Sequence, residues 1–405
     1  MRHAMSIVEG LAGVHARRDA VARAPSSRHP VSEVTSLLAV PEKAWSHLAD
    51  RAAEPNAFYL PAWARAVSRH AEGKSGARAL LVWDGPTRTQ LIGLLPVVTA
   101  WRAMRVPLPV LVAWQAYAPL TTPLIDRDAI DDGARGLVAA AAKAGAVALM
   151  LPALASEGPV AAALHRAVSA FDIDPRALDP HQRACLDATQ DAEAALAGLG
   201  AKKLKELRRQ RNRLGDAGEV SFKCATQPAE AASALESFLS LEASGWKGTR
   251  GTALGKKPGD AAFVREAIAG LSAAGHAEVV TLWRGQDVVA AGLLLRHLRR
   301  GYFSKIAYDE SVAATSPGVQ LTLDISRKLC GDRAIDDVDS TAIADHPMID
   351  RVWRSRLSVA DLILPVRRAA LPFHMIANLL AARRAARDIA RRKFRVARPQ
   401  KGKQP

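Results

Sequence analysis

The sequence predicts an α/β (α+β) protein made of two tandem units, each a mixed β-sheet flanked by helices, followed by a basic C-terminal helix. Apolar strand-like runs alternate with helical patterns along most of the 405 residues. The hairpin pattern LLVWDGPTRTQLIGLLPVV at 80–98 has a counterpart, VVTLWRGQDVVAAGLLLRH, at 279–297. Because this repeat of about 200 residues is far longer than a solenoid repeat, it favours a duplicated domain.

The first unit is predicted over residues 31–200, after a loose leader at 1–30. Pro61 suits the first position of a helix, and the turn Asp84-Gly-Pro joins two apolar runs into a hairpin. In chain order we expect helices at 42–51 and 62–70, the hairpin, a strand at 110–114, a helix at 133–144, a strand at 146–151, a helix at 160–169 and a strand at 183–187.

The second unit is predicted over residues 201–365 and repeats the same order, and a basic helical tail follows at 366–405. Apolar residues at helical or alternating spacing define its elements. We expect helices at 202–214, 229–243, 260–273, 319–330 and 348–353, and strands at 220–224, 278–283, 288–296, 302–308, 335–339 and 357–364.

Composition excludes several classes of protein. No run of 18 or more apolar residues is free of charge, and no apolar core follows the basic N-terminus, so neither a membrane-embedded chain nor a secretory signal is predicted. Three widely spaced cysteines fit neither a disulfide framework nor a metal site, and the 11 histidines form no ligand cluster, so we expect no metal. A cytoplasmic location is the prediction, with a peripheral position at the inner membrane face as an extension of it.

The net charge of +16 is concentrated in the tail. Residues 366–403 hold twelve Lys and Arg against Asp388, which gives +11 there and leaves +5 for the rest. Apolar residues among these arginines suit an anionic membrane surface, and packing on the body with a solvated arginine face is the alternative. The basic helix 202–213 is suited to RNA, phosphate or an acidic sugar, or is only a solvated face.

The segment Ser316-Pro317-Gly318-Val319 opens a predicted helix directly after a strand and loop. Serine is a good cap and proline is tolerated in the first turn. Free N–H groups and the positive end of the helix dipole at such a start suit a pyrophosphate. An ordinary capped helix is the alternative.

Polar residues also gather after the predicted strand at 335–339. Asp339 or His346 can take a proton from a nucleophile there, where α/β folds place their chemistry. A structural Asp at a strand end and a structural His in a loop are the alternatives.

A third polar segment lies where the helix at 229–243 ends. Glu242 is disfavoured by the dipole at a helix C-terminus, so it has either a functional cause or a salt bridge to Lys247. The loop with Trp246 and Lys247 is either a substrate-contacting loop or a flexible link. P-loop, nucleophile-elbow, zincin and dinucleotide motifs are absent.

The segments LEASGWKGTRGTAL, IAYDESVAATSPGVQLTLDI and VDSTAIADHPMIDRVW resemble a bacterial family of GNAT-fold acyltransferases. It is the acetyltransferase family associated with cellulose and other polysaccharide biosynthesis, a relative of the Fem-type aminoacyl transferases. The resemblance is specific over 202–364, looser over 40–200, and does not include the tail.

The resemblance implies two GNAT-like units, with the second holding acetyl-CoA or another acyl-CoA as co-substrate and no bound cofactor. Ser316, Pro317, Gly318 and Val319 fall at the family's pyrophosphate loop, although they lack its glycine-rich Q/R-x-x-G-x-G/A form. Tyr308 is expected to protonate the leaving thiolate.

With the polar segments above, the resemblance predicts an acyltransferase acting on an amine or hydroxyl of a sugar or cell-envelope precursor. Asp339 and His346 are the candidate bases or acceptor ligands, and the acceptor site is expected at the residues Glu242, Trp246 and Lys247. The alternatives are a Fem-like transferase using aminoacyl-tRNA, the one case in which nucleic acid is a partner, and a non-catalytic scaffold for a membrane or protein partner.

Overall fold

The computed structural model describes residues 29–396, with side chains through residue 390. Thirteen strands are found in this range. They are β1 (Val31–Ser36), β2 (Arg78–Trp83), β3 (Leu91–Thr99), β4 (Val110–Ala113), β5 (Leu124–Ile125), β6 (Ala148–Ala155), β7 (Arg176–Asp187), β8 (Val220–Ala225), β9 (Ala277–Arg284), β10 (Asp287–His297), β11 (Arg300–Tyr308), β12 (Asp337–Asp339) and β13 (Ser355–Pro365).

The α-helices of the same range flank this sheet. They are α1 (Glu42–Asp50), α2 (Pro61–His70), α3 (Ala100–Met104), α4 (Ile130–Lys143), α5 (Pro159–Ser169), α6 (Ala192–Ala197), α7 (Ala201–Gly215), α8 (Pro228–Ser244), α9 (Trp246–Thr249), α10 (Pro258–Ala273), α11 (Pro317–Cys330), α12 (Ile349–Val352) and α13 (Ala370–Val396). Short 3-10 turns join several of them.

All the described strands belong to one mixed sheet. Its order is β1-β2-β3-β4-β6-β13-β7-β12-β11-β10-β9-β8, with β5 added beside β3. The β4–β6 and β11–β12 pairs are parallel, whereas the other pairs are antiparallel. The fold is therefore the mixed α/β architecture that the alternating patterns predict.

The strand order confirms the internal repeat and adds an exchange between its two copies. From one edge of the sheet to its centre the order is β1, β2, β3, β4 and β6. From the other edge to the centre it is β8, β9, β10, β11 and β12. We call β1–β7 the first series of strands and β8–β13 the second. At the centre of the sheet, β7 of the first series pairs with β12, while β13 of the second series pairs with β6. Strands β7 and β13 also pair with each other, so the sheet is continuous where the sequence suggests two units.

The largest buried cluster draws residues from both series. Helix α2 packs on α10, where Trp63 and Phe263 meet edge to face with ring centroids 5.2 Å apart. The buried His297 ring on β10 accepts the backbone N–H of Asn56 through Nδ1 at 2.8 Å. Its Nε2 lies 2.9 Å from the Ala49 carbonyl oxygen, so this hydrogen-bonded histidine joins the two halves.

Most predicted elements are present, with shifted ends. The differences are that β7 begins seven residues before the predicted 183, that β12 spans only Asp337–Asp339, and that β1, α3, β5, α6 and α9 had no predicted counterpart. Helix α9 lies where a loop with Trp246 and Lys247 was expected. Strand β1 has no continuous apolar run, because it is a half-exposed edge strand with one neighbour, β2. The predicted leader at 1–30 lies almost wholly outside the described residues.

The basic tail forms the helix α13, and one of its faces packs on the body. Phe373, Ile376 and Leu380 are buried against the ends of β4, β6 and β13. The arginines on this side are not simply solvated, since Arg384 pairs with Asp361 and Asp179, and Arg383 donates to the Met104 carbonyl oxygen at 2.6 Å. None of the helices in the described range has the length and apolar character needed to cross a bilayer.

Candidate functional site

Strands β11 and β12 separate at their carboxyl ends. They pair over three positions, from Arg300 opposite Asp337 to Tyr302 opposite Asp339, and then β12 stops while β11 continues to Tyr308. The Thr341 hydroxyl bridges the start of the gap by donating to the Phe303 carbonyl oxygen at 2.9 Å. Beyond that point the carbonyl and N–H groups on this side of β11 have no neighbouring strand.

A β-bulge lies on β11 at the point where the strands part. Leu293 of β10 is opposite Lys305 and Leu294 is opposite Phe303, so Ser304 is the extra residue. Bulges leave backbone groups unpaired and redirect side chains, and they are common beside active sites. Here the bulge brings Lys305 onto the face of the sheet covered by α8.

Helix α11 begins at the open end of this gap. Pro317 is its first residue, as predicted, but the Ser316 side chain makes no capping hydrogen bond. The reason is that Ser316 is left-handed, with φ 54° and ψ 51°, whereas an N-cap side chain reaches the helix N–H groups from extended backbone. The Ser316 carbonyl accepts instead from the N–H groups of Val319 and Gln320.

Glycine at position 318 allows the helix start to approach β11. A Cβ on Gly318 would lie 3.3 Å from the Tyr308 ring and 3.5 Å from Ile306, which is tight for any side chain. Left-handed backbone recurs around the gap at three non-glycine residues, Ser316, Thr341 and Asp345. Such conformations cost free energy and are often concentrated at functional sites.

Glu242 is the centre of a buried charged cluster behind β11. Its carboxylate lies 3.1 Å from the Lys247 ammonium and 3.7 Å from that of Lys305, and it accepts the Leu254 N–H at 2.8 Å. The salt bridge to Lys247, which was the structural explanation offered for Glu242, is therefore present. Glu242 also faces a second cation, Lys305 on β11, which the sequence analysis did not select.

Lys305 is a charged residue of the site that the sequence analysis missed. Burial lowers the pKa of Lys305, and the Glu242 carboxylate opposes this shift. Its side chain still keeps about a quarter of its surface exposed, at 27%. A lysine in the middle of the apolar strand pattern YFSKIAY was the available sequence signal.

The first half of the chain also contributes to this region. Burial raises the pKa of Tyr117, and a hydrogen bond to Asp260 adds to the shift. The Tyr117 ring packs on Phe263 with centroids 4.7 Å apart. Tyr117 lies between strands β4 and β5, far in sequence from α10, so only the folded chain reveals this contact.

A small cleft joins the predicted acceptor residues to Tyr308. It is lined by Glu242, Trp246, Lys247, Tyr308 and Glu310, with apolar and backbone atoms between them. The Trp246 backbone N–H donates to Glu310 at 2.8 Å and ties α9 to the loop that precedes α11. The indole is 48% exposed, so an aromatic surface is presented at the mouth of the cleft.

Asp339 and His346 lie on the other side of the gap. Asp339 is fully buried, pairs with Arg183 of β7 and accepts the Thr341 N–H at 2.8 Å. His346 is half-buried, and its Nδ1 lies 3.4 Å from the N–H groups of Met348 and Ile349 at the start of α12. Both contacts fit structural roles, so the proposed proton transfer by either residue stays a prediction.

The structure therefore groups the predicted residues in two sets. Glu242, Trp246, Lys247 and Tyr308 share the cleft, and a Cβ on Gly318, at the start of α11, would contact the Tyr308 ring. Asp339 and His346 are not among the residues that line it.

Comparison with known proteins identifies the type of domain in this part of the chain. Residues 201–346, which include β11, β12, α11 and the cleft, match the family model described as an acetyltransferase (GNAT) domain. No curated protein matches the chain. The match covers a GNAT-type domain rather than the whole chain, and the association with cellulose synthesis remains a resemblance.

Two solved structures share most of this fold at low sequence identity. One is described as the C-terminal domain (DUF2156) of a putative lysylphosphatidylglycerol synthetase from Agrobacterium fabrum, with TM-score 0.53, 12% identity, and coverage of 84% of this chain and 95% of that one. The other is FemX, with TM-score 0.52, 10% identity, and coverage of 85% and 99%. At these identities the likeness establishes the fold.

Proposed function

We propose that this protein is an acyltransferase that moves an acyl group from acyl-CoA to an amine or hydroxyl of a sugar or cell-envelope precursor. The observation that carries the proposal is the gap between β11 and β12, with its bulge at Ser304, inside the segment that matches a GNAT domain. Backbone groups on the side of β11 that has no neighbouring strand suit a pantetheine arm, which is itself an amide chain.

The donor phosphates are assigned to the start of α11. Gly318 offers a backbone N–H close to the gap, and the helix dipole favours negative charge there. Helix α7 lies against α11, since the Gln320 amide donates to the Leu207 carbonyl oxygen at 2.8 Å and Arg211 pairs with Asp324 at 2.8 Å. The exposed cations of α7 add attraction for phosphate in the same region.

The acceptor is assigned to the cleft beside Glu242 and Trp246. An exposed indole next to charged groups suits the apolar face and hydroxyls of a sugar. The Lys305 and Lys247 ammonium groups suit an acceptor that carries a carboxylate or phosphate. Glu242 holds both ammonium groups in place.

Transfer follows from holding the two reactants together. The acceptor N or O attacks the thioester carbon, the new C–N or C–O bond forms, and the C–S bond breaks. Tyr308 donates a proton to the departing sulfur in this scheme, and the proton that the acceptor loses replaces it on Tyr308, so that the step balances. Backbone N–H groups freed at the Ser304 bulge are the proposed donors to the oxyanion.

Isothermal titration with CoA and acetyl-CoA tests the donor site. We expect binding by the wild type and a loss of at least about tenfold in Gly318→Asp, because a carboxylate beside the helix start repels phosphate. Gly318→Asn is the matched control, with the same size and no charge, and is expected to bind much more tightly than Gly318→Asp.

Equal losses in the two variants would indicate a steric effect and would count against phosphate at this helix. A folded wild type that binds neither CoA nor acetyl-CoA would reject the acyl-CoA proposal.

Aminoacyl-tRNA is the second candidate donor, favoured by one observation. Five cations of α7 are exposed beside the loop that leads into α11; they are Lys202, Lys205, Arg208, Arg209 and Arg213. Salt-sensitive binding of charged tRNA, lost in a Lys202→Gln/Lys205→Gln variant, together with no CoA binding, would replace acyl-CoA by this donor.

A further inference from the structure

The outer face of α13 is apolar although nothing in the described chain covers it. Leu371, Met375, Leu379 and Ile389 are 72%, 64%, 50% and 56% exposed. They lie opposite the buried face that packs on the body, because 371, 375, 379 and 389 fall on one side at 100° per residue. The outward positions between them hold no Lys, Arg, Asp or Glu; they are His374, Asn378, Ala382, Ala385 and Ala386.

Cations flank this face rather than interrupt it. Arg383 and Arg387 are exposed at the edge of the helix, and the sequence that follows them is strongly basic. Helix α3 lies beside α13, since Arg383 donates to the Met104 carbonyl oxygen. It carries the exposed Trp101, 53% accessible, with the Arg105 guanidinium 5.7 Å from its ring.

We propose that α13 and α3 form a docking surface for an anionic lipid bilayer. A helix with a mainly apolar, uncharged face and cations at its edge lies in the headgroup region, and its affinity grows with buried apolar area and with anionic lipid. Exposed tryptophan and arginine are residues that favour the same interface. This surface is separate from the acyl-transfer site and does not depend on the proposed reaction.

Charge decides between a bilayer and a second copy of the chain. Residues 366–403 carry +11, so a symmetric contact between two α13 helices would bring two strongly cationic segments together. An anionic bilayer instead neutralises the flanking arginines, each worth about 1 kcal/mol near such a surface.

Vesicle co-sedimentation of the full chain tests the proposal. We expect binding to vesicles of phosphatidylcholine with about 30 mol% phosphatidylglycerol, and little binding to phosphatidylcholine alone, at about 0.15 M salt. Leu371→Glu/Met375→Glu is expected to weaken binding by about tenfold or more, because it places charge on the inserted face. Leu371→Ala/Met375→Ala, which removes apolar area at constant charge, is expected to weaken it several-fold.

Ala139→Glu/Ala162→Glu is the matched control, since it makes the same change in charge at exposed positions of α4 and α5. It is expected to bind nearly as the wild type does, and thermal melts check that all variants fold. If the control weakens binding equally, or if the alanine variant binds as the wild type does, the interaction depends on net charge alone. Either result would contradict the proposal that this face of α13 docks on the bilayer. A wild-type dimer that Leu371→Glu/Met375→Glu converts to monomer, with no vesicle binding, would assign the face to self-association instead.

Discussion

Glu54 is a half-buried glutamate at the junction of the two halves of the sheet. Burial raises its pKa to about 7, against the favourable effects of the Arg300 charge and a hydrogen bond from the Val160 N–H. Its Oε2 is buried and has no hydrogen-bond partner among the described residues. Gly158 makes room for the group, since a Cβ there would overlap the carboxylate.

This raised pKa predicts a loss of stability as the pH rises. Between about pH 4.5 and 7 the folded chain keeps a proton on Glu54 that the unfolded chain has released, so the free energy of unfolding falls through this window. Glu54→Gln is neutral at every pH. We therefore expect the wild type to lose about 2 kcal/mol more than Glu54→Gln between pH 5 and 8, measured by urea unfolding.

Glu157→Gln supplies the control for this measurement, because Glu157 is exposed and close in sequence. Its pH dependence is expected to follow the wild type. If Glu54→Gln shows the same decline with pH as the wild type, Glu54 is not the group responsible.

Helix α13 has two apolar faces, of which one is buried against the body and the other is exposed. Phe373 is 1% exposed and Leu371 is 72% exposed, although they are two residues apart. The inner face completes a cluster with Val112, Met150 and Ile363. The tail is therefore part of the fold on one side and an open surface on the other.

Alanine substitutions on the two faces should separate these roles. Phe373→Ala is expected to lower the free energy of unfolding by about 3 kcal/mol, because it leaves a cavity under the helix. Leu371→Ala is expected to change it by no more than about 0.5 kcal/mol. Equal effects in chemical unfolding experiments would mean that the two faces are not packed as described here.

The whole molecule is held together by the exchange of β7 and β13. Without the second series, β6 loses its neighbour β13, and without the first, β12 loses its neighbour β7. Open central strands expose unpaired backbone groups and apolar surface. The two halves are thus expected to depend on each other for folding.

Separate expression of 29–200 and 201–405 tests this dependence. Each fragment alone is expected to aggregate or to lack a cooperative thermal transition, and co-expression should give a soluble complex with one transition. A fragment that melts cooperatively by itself would show an independent domain, with strand exchange as a secondary contact. Circular dichroism and size-exclusion chromatography provide the readouts.

The candidate site was only partly accessible from the sequence. The local segments pointed to Glu242, Trp246, Lys247, Tyr308 and the start of α11, because strand-to-helix turns and polar loops leave short-range patterns. Lys305 and Tyr117 were missed, since their importance comes from neighbours on other elements. The burial and ion pair of Asp339 were hidden for the same reason, because Arg183 belongs to the distant strand β7.

The sequence by itself determined the α/β class, the order of most helices and strands, the internal repeat and the basic terminal helix. These properties follow from periodicity and turn residues, which act over a few positions along the chain. Only the tertiary structure decided that β7 and β13 exchange places, that β11 and β12 part at a bulge, and that α13 keeps an apolar face uncovered. Each of these depends on contacts between residues far apart in sequence, and local patterns carry no information about such contacts.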